Sequence, residues 1–196
     1  MVWHQPVGVP QLVAFALVLA AGSITLIRTL VRSRAPGAAG RSSSRSRLGV
    51  ALQALGFALT GSGRIDMALP WSSADSLVST LVVVLIGGTA AGLFRAAATE
   101  MGRNWSIVAR TRADHQLVRS GPFAIVRHPI YLAMWLCLFS LGVAFGHWLT
   151  LLIGLPFFLA GTLIRVREEE KLLRAQFGED HARYVREIPA FIPYIR

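Results

Sequence analysis

Apolar residues gather in five runs, 9–30, 48–63, 76–94, 130–145 and 147–164, with polar and arginine-rich stretches between them. A helix needs roughly 20 residues to cross a ~30 Å hydrocarbon core, and the runs approach that length. The second is the weakest: it is short, contains Gln53 and is interrupted by Gly56 and Gly61. It reads as a thin or tilted span. Runs four and five are separated by Gly146 alone and form an apolar hairpin. The pattern predicts an all-α integral membrane protein with five transmembrane helices.

Charge gives that scheme a direction. With five spans and the N-terminus outside, every lysine and arginine except Arg64 falls on the inner side, as the positive-inside rule requires. The C-terminus is then cytoplasmic. The chain is 54% apolar and only 15% charged, with a mean hydropathy of +0.53, well outside the soluble range. The net charge of +10 is explained by basic residues against anionic headgroups, each contributing about 1 kcal/mol, so no nucleic-acid partner is expected. Cys137 is the single cysteine, which excludes an internal disulfide. Residues 1–8 hold no Lys or Arg, so the first span reads as a retained anchor rather than a cleaved signal peptide. Residues 130–164 contain no ionisable group but His147. That disfavours a pump or channel and favours chemistry at the inner interface.

Two parts are expected. Residues 1–94 hold helices one to three with a basic inner loop at 31–47, and residues 95–196 hold an interfacial loop, the hairpin and a C-terminal helix and tail. Pro129 suits the first turn of the fourth helix, where its missing N–H costs nothing. After Ile164 a helix is expected to run on through Gln176 and end near Gly178. Pro189 and Pro193 then break a tail carrying Phe191, Ile192, Tyr194 and Ile195, which would lie back over the cytoplasmic face. Gly88-Thr-Ala-Ala-Gly92 is a small-xxx-small pattern. It predicts close packing within the chain, with a homodimer through Gly88 and Gly92 as the alternative.

Two polar clusters flank the hairpin, Gly121-Pro-Phe-Ala-Ile-Val-Arg-His-Pro-Ile-Tyr131 and Arg165-Val-Arg-Glu-Glu-Glu170. The hairpin brings both to one side, where they can form one site. Arg127 and His128 taken singly are ordinary membrane-edge anchors. Arg165 and Glu169 are four apart and share a helix face; as an exposed pair they would contribute only about 0.3–0.5 kcal/mol. A cation for an anionic substrate and a carboxylate for an amine-bearing cofactor give the two a better reason to stand at the membrane edge.

Gly102-Arg-Asn-Trp105, His115-Gln-Leu-Val118, Gly121-Pro-Phe123, Arg127-His-Pro-Ile-Tyr131, Glu169-Glu170, Phe177-Gly178, Tyr184, Pro189 and Ile192-Pro193 together resemble the isoprenylcysteine carboxyl methyltransferase family and its phospholipid methyltransferase relatives. The resemblance covers roughly the C-terminal half and makes residues 95–196 the methyltransferase core. It implies a membrane enzyme transferring a methyl group from S-adenosylmethionine. By similarity His115, Gln116, Leu117, Val118, Phe123, His128, Pro129, Ile130, Tyr131 and Glu169 would contact the cofactor, and Arg165 the substrate, with Arg165 and Glu169 at the catalytic centre. No metal is expected. Phe123 and His181 stand where the family commonly has tyrosine.

The resemblance favours carboxyl methylation of a prenylcysteine-like or other lipidic acid that enters from the bilayer. Phospholipid N-methylation and small-thiol S-methylation are the alternatives, and a lipid-binding scaffold is the non-enzymatic one. Arginine-rich, lysine-poor usage suggests a bacterial inner membrane.

Overall fold

The computed structural model describes residues 5–33, 43–108 and 116–192, and these are helical with no strand. Six α-helices follow in order: α1 Val9–Ser33, α2 Ser44–Gly61, α3 Ala74–Met101, α4 Pro129–Phe145, α5 Trp148–Phe177 and α6 Glu179–Glu187. Short 3₁₀ turns at Gly102–Asn104 and Gly121–Ala124 lie between α3 and α4. By length and composition α1, α3 and α5 suffice to cross a membrane; α4 is apolar but has 17 residues. Their outward faces carry large apolar side chains, among them Leu17, Ile27, Leu81 and Leu152, all more than half exposed. In water such faces would drive association; in lipid they are solvated.

The loop expected at 31–47 is shorter than predicted. α1 continues through Ser33, residues 34–42 lie outside the described residues, and α2 begins at Ser44 because the Ser43 hydroxyl caps it, accepting from the Ser46 N–H at 3.3 Å. Serine beside arginine is loop-like composition, yet a serine hydroxyl is also a strong N-cap.

α2 is held against α5 by glycines. A Cβ on Gly161 would stand 2.6 Å from the Gly49 carbonyl oxygen, and one on Gly154 would stand 2.6 Å from that of Gly56. The glycines that weaken α2 as an isolated span are what let the two backbones touch. Gly88 and Gly92 do not play that part: among the described residues, nothing beyond the neighbouring backbone of α3 itself lies within 4 Å of a Cβ at either. The neighbouring Gly87 does, facing Ser140 and Val18 at 2.8 Å. Successive residues point about 100° apart on a helix, and α3 turns Val83, Gly87 and Ala90 inward, leaving Gly88 to the outside.

Candidate active site

The α4–α5 hairpin builds the site. Gly146 turns it with φ +67, and a Cβ there would stand 2.3 Å from the Gln5 carbonyl oxygen, so both backbone sign and space require glycine. The chain then returns along α5, whose helix runs past its apolar part to Phe177 and ends at Gly178 with φ +50, close to where the sequence placed it. The start of α4 thereby meets residues 165–170.

Direct bonds join the two polar clusters. The Tyr131 hydroxyl donates to Glu169 Oε1. His128 is buried, with Nε2 3.1 Å from Glu170 Oε1 and Nδ1 3.8 Å from Glu169 Oε2. Arg127 donates from Nε and Nη2 to the same Glu170 oxygen at 3.0 and 2.9 Å. Adjacent carboxylates repel each other, and Arg127 supplies the countercharge.

Arg165 is not paired with Glu169. The side chain is 7% exposed; Nη1 donates to Gln53 Oε1 at 2.7 Å, Nη2 donates to the Ile107 carbonyl at 2.6 Å, and the guanidinium carbon lies 4.8 Å from the Tyr131 ring centre. Its Nε is buried without a partner among the described residues. Among the described residues no carboxylate stands within ion-pair distance of it. A buried cation held by neutral oxygens and an aromatic face is electrostatically underserved, because burial strips its hydration while neutral acceptors return only part of it.

The chain beyond α5 finishes the mouth. Arg127 donates from Nη1 to the carbonyls of Val185, at 3.2 Å, and Ile188. The Arg127 and His128 backbone N–H groups donate to Pro189 and Ala190 at 2.8 and 3.1 Å. Phe191 packs on the His128 ring, 5.6 Å between centres. The expected tail thus folds back onto the start of α4; Pro193, Tyr194 and Ile195 lie outside the described residues. Tyr184 donates its hydroxyl to the Phe123 carbonyl at 2.7 Å, and burial pushes that hydroxyl up to about 12, so it remains a donor. His181 is buried with Nδ1 unpartnered among the described residues, and burial holds its imidazole below its ordinary value, with Arg127 and His128 adding to the shift and Glu170 opposing it.

These groups surround a cavity of about 540 Å³. Of the predicted residues, Gln116, Leu117, Val118, Phe123, His128, Pro129, Ile130, Tyr131, Arg165 and Glu169 all line it; His115 lies outside the described residues. One end is polar, around Glu169 and His128. The other is walled by Val18, Gly22, Ala54, Phe57, Ala90 and Cys137, from α1 to α4. Gln53 and Trp105 also line it; from the sequence Gln53 had no site role, and Trp105 stood only as part of the resemblance. Gln53 had a signal, an amide inside an apolar run, which marks a buried partner. The Ile107 carbonyl had none, being backbone.

Residues 81–175 match the Isoprenylcysteine carboxyl methyltransferase (ICMT) family. The resemblance read from the motifs is therefore shared by an independent match that runs from within α3 almost to the end of α5. Two curated relatives align with about half of the chain. One is the Cobalt-zinc-cadmium resistance protein CzcN of Cupriavidus metallidurans, 32% identical over 104 residues, which are 52% of this chain and 47% of the relative. The other is the Protein-S-isoprenylcysteine O-methyltransferase of Schizosaccharomyces pombe, 29% identical over 102 residues, 50% of this chain and 43% of the relative. The chain thus spans under half the length of either relative. The ICMT segment contains Arg127, His128, Tyr131, Arg165 and Glu169, whereas Gln53, Tyr184 and Phe191 come from outside it.

Proposed function

We propose that this chain is a membrane methyltransferase that uses S-adenosylmethionine to esterify the carboxylate of a lipophilic acid, of which a prenylcysteine is the type best supported by the ICMT match. The observation that carries the reading is Arg165: a buried guanidinium held by neutral acceptors, standing between the Glu169 end of the cavity and its apolar end. A carboxylate on an apolar body suits that position, with its charge at Arg165 and its chain among Val18, Ala54 and Phe57.

The donor set fits the cofactor. Glu169, accepting from Tyr131 and facing His128, offers a carboxylate to an ammonium, while the non-helical residues 116–118 line the same cavity as the buried Phe123. When bound, S-adenosylmethionine supplies a methyl group on positively charged sulfur, transferable by in-line displacement. The protein's part is alignment, which supplies roughly 7–11 kcal/mol in well-oriented reactions. Arg165 fixes the attacking oxygen, the apolar walls exclude water, and a carboxylate already ionised at pH 7 needs no base. An amine acceptor would need one; His128, buried and bonded to Glu170, is poorly placed to serve. The same proposal puts the N-terminus outside and the site on the cytoplasmic face, across five spans.

The test uses purified protein in lipid nanodiscs with radiolabelled S-adenosylmethionine. Acceptors are a farnesylcysteine with free carboxyl, phosphatidylethanolamine and a small alkyl thiol. Base-labile label released as methanol from the first acceptor supports the proposal. Base-stable label on the amine or thiol would replace it with the corresponding alternative, and cofactor binding without turnover on any acceptor would favour a scaffold.

A further inference from the structure

Gln53 lies on α2, outside the ICMT segment, in the run whose apolarity it interrupts. It is 2% exposed and touches both the cavity and Arg165. Three bonds form a line: Arg165 Nη1 donates to Gln53 Oε1 at 2.7 Å, Gln53 Nε2 donates to Thr162 Oγ1 at 2.9 Å, and Thr162 Oγ1 donates to the Phe158 carbonyl at 2.9 Å. The polarity of this line is fixed from both ends. Arginine has only donors, so it must meet the amide oxygen; the threonine proton is committed to a carbonyl, so the hydroxyl must accept from the amide nitrogen. Either end alone would orient the amide, and both demand the same orientation.

The stems of both side chains are closely packed, so the two hydrogen bonds are what set the direction of the amide. A Cβ on Gly161 would stand 2.9 Å from Gln53 Cγ and 2.8 Å from its backbone nitrogen, and a Cβ on Gly49 would stand 2.5 Å from Arg165 Cγ. The amide and the arginine stem are therefore seated in the same glycine contact that joins α2 to α5. A neutral acceptor here is chemically selective. A carboxylate at the same place would pair with the guanidinium and satisfy its charge, whereas an amide oxygen fixes direction and leaves the charge for a ligand.

We infer that Gln53 is a positioning residue for the reaction: anchored through Thr162, it aims the Arg165 guanidinium at the acceptor without neutralising it. This rests on the assignment of Arg165 to the substrate, so the test has two arms. The first reads the guanidinium without turnover. Phenylglyoxal labelling of Arg165, followed by peptide mass spectrometry, should accelerate at least about threefold in Gln53→Leu, because an arginine released from one of two anchors opens more often. Gln53→Glu, whose carboxylate would pair with the guanidinium, should label no faster than the wild type. Thr162→Val, which frees the amide to turn while leaving Gln53 in place, should move labelling the same way as Gln53→Leu and serves should that variant fail to fold. Unchanged labelling in Gln53→Leu, or in Thr162→Val if it stands in, overturns the inference.

The second arm reads the reaction. Gln53→Leu should lower kcat about tenfold with S-adenosylmethionine affinity unchanged, and should cost little more in an Arg165→Lys background, since residues acting through one group are not additive. Full additivity of the two losses marks Gln53 as merely structural and sinks the inference. If labelling accelerates as expected but turnover is untouched in both Gln53→Leu and Arg165→Lys, it is the substrate assignment of Arg165 that fails, and Gln53's part in the reaction goes with it.

Discussion

At Arg165 charge and shape are separable. Arg165→Lys keeps the charge but loses the planar fork that bonds Gln53 and the Ile107 carbonyl and would, on the proposed function, also hold a carboxylate. Cofactor affinity should stay near wild type while turnover on the farnesylcysteine falls at least about tenfold, or ~1.4 kcal/mol of transition-state stabilisation; loss of cofactor binding instead would move Arg165 to the cofactor. Glu169→Gln removes charge and keeps size. It should weaken S-adenosylmethionine binding by calorimetry about tenfold, ~1.4 kcal/mol, well above the few tenths of an exposed ion pair. Unchanged affinity would leave Glu169 as no more than the acceptor of the Tyr131 hydroxyl. The polar part of the cavity could be read from the sequence, because the Arg-His-Pro-x-Tyr and paired-glutamate clusters carry the chemistry and the hairpin between them is apolar, whereas its α1–α3 wall, built of ordinary apolar residues, could not. Gln53 was harder: its meaning lies in a partner 112 residues away, and a lone amide in an apolar run looks like a blemish until that partner is known.

Among the elements, α2 and α5 carry the most specific packing. Gly161→Leu forces a side chain into the Gly49 carbonyl and the Gln53 stem, and should destabilise the protein in detergent by at least about 2 kcal/mol. Gly88→Ala and Gly92→Ala, with open space around both, should leave the melting temperature of the isolated chain unchanged. Equal effects at the three sites would mean that the α2–α5 contact is not what holds the bundle. Sequence spacing announced the long helices and the α5 extension well, since a run of apolar residues fixes a helix through lipid whatever its neighbours. Which glycine of α3 faces inward depends on rotation about the helix axis, set by Val18 and Ser140 on other helices, so the spacing of Gly88 and Gly92 could not show that packing within the chain falls to Gly87 instead. α6 answers to pH. The buried His181 has its imidazole pKa held below the ordinary ~6.5, so the docked helix refuses a proton that a released one accepts. Docking is at full strength above ~6.5 and weakens as pH falls from there toward the lowered value. Hydrogen-exchange protection across residues 179–192, corrected for intrinsic rates, should therefore drop between pH 7.5 and 5.5, and His181→Phe should abolish that drop; a pH-independent protection in the wild type would remove the switch.

For the whole molecule, the basic residues on either side of α1, α3 and the hairpin set the expected topology. Reporter fusions should report an outside N-terminus and a cytoplasmic C-terminus, and two ends on the same side would require an even number of crossings and displace α2 from the membrane. One feature reaches further than the bundle. Arg127 is closed over by carbonyls that lie 58 and 61 residues further along the chain. During synthesis the spans can therefore be inserted, and the α4–α5 hairpin closed, before the mouth of the site exists. Maturation becomes a separate event from insertion, completed only when residues 188–190 reach the start of α4. A chain cut after Glu187 would be a well-inserted but immature protein, indistinguishable by topology from the finished one, so quality control that inspects membrane insertion alone would pass it.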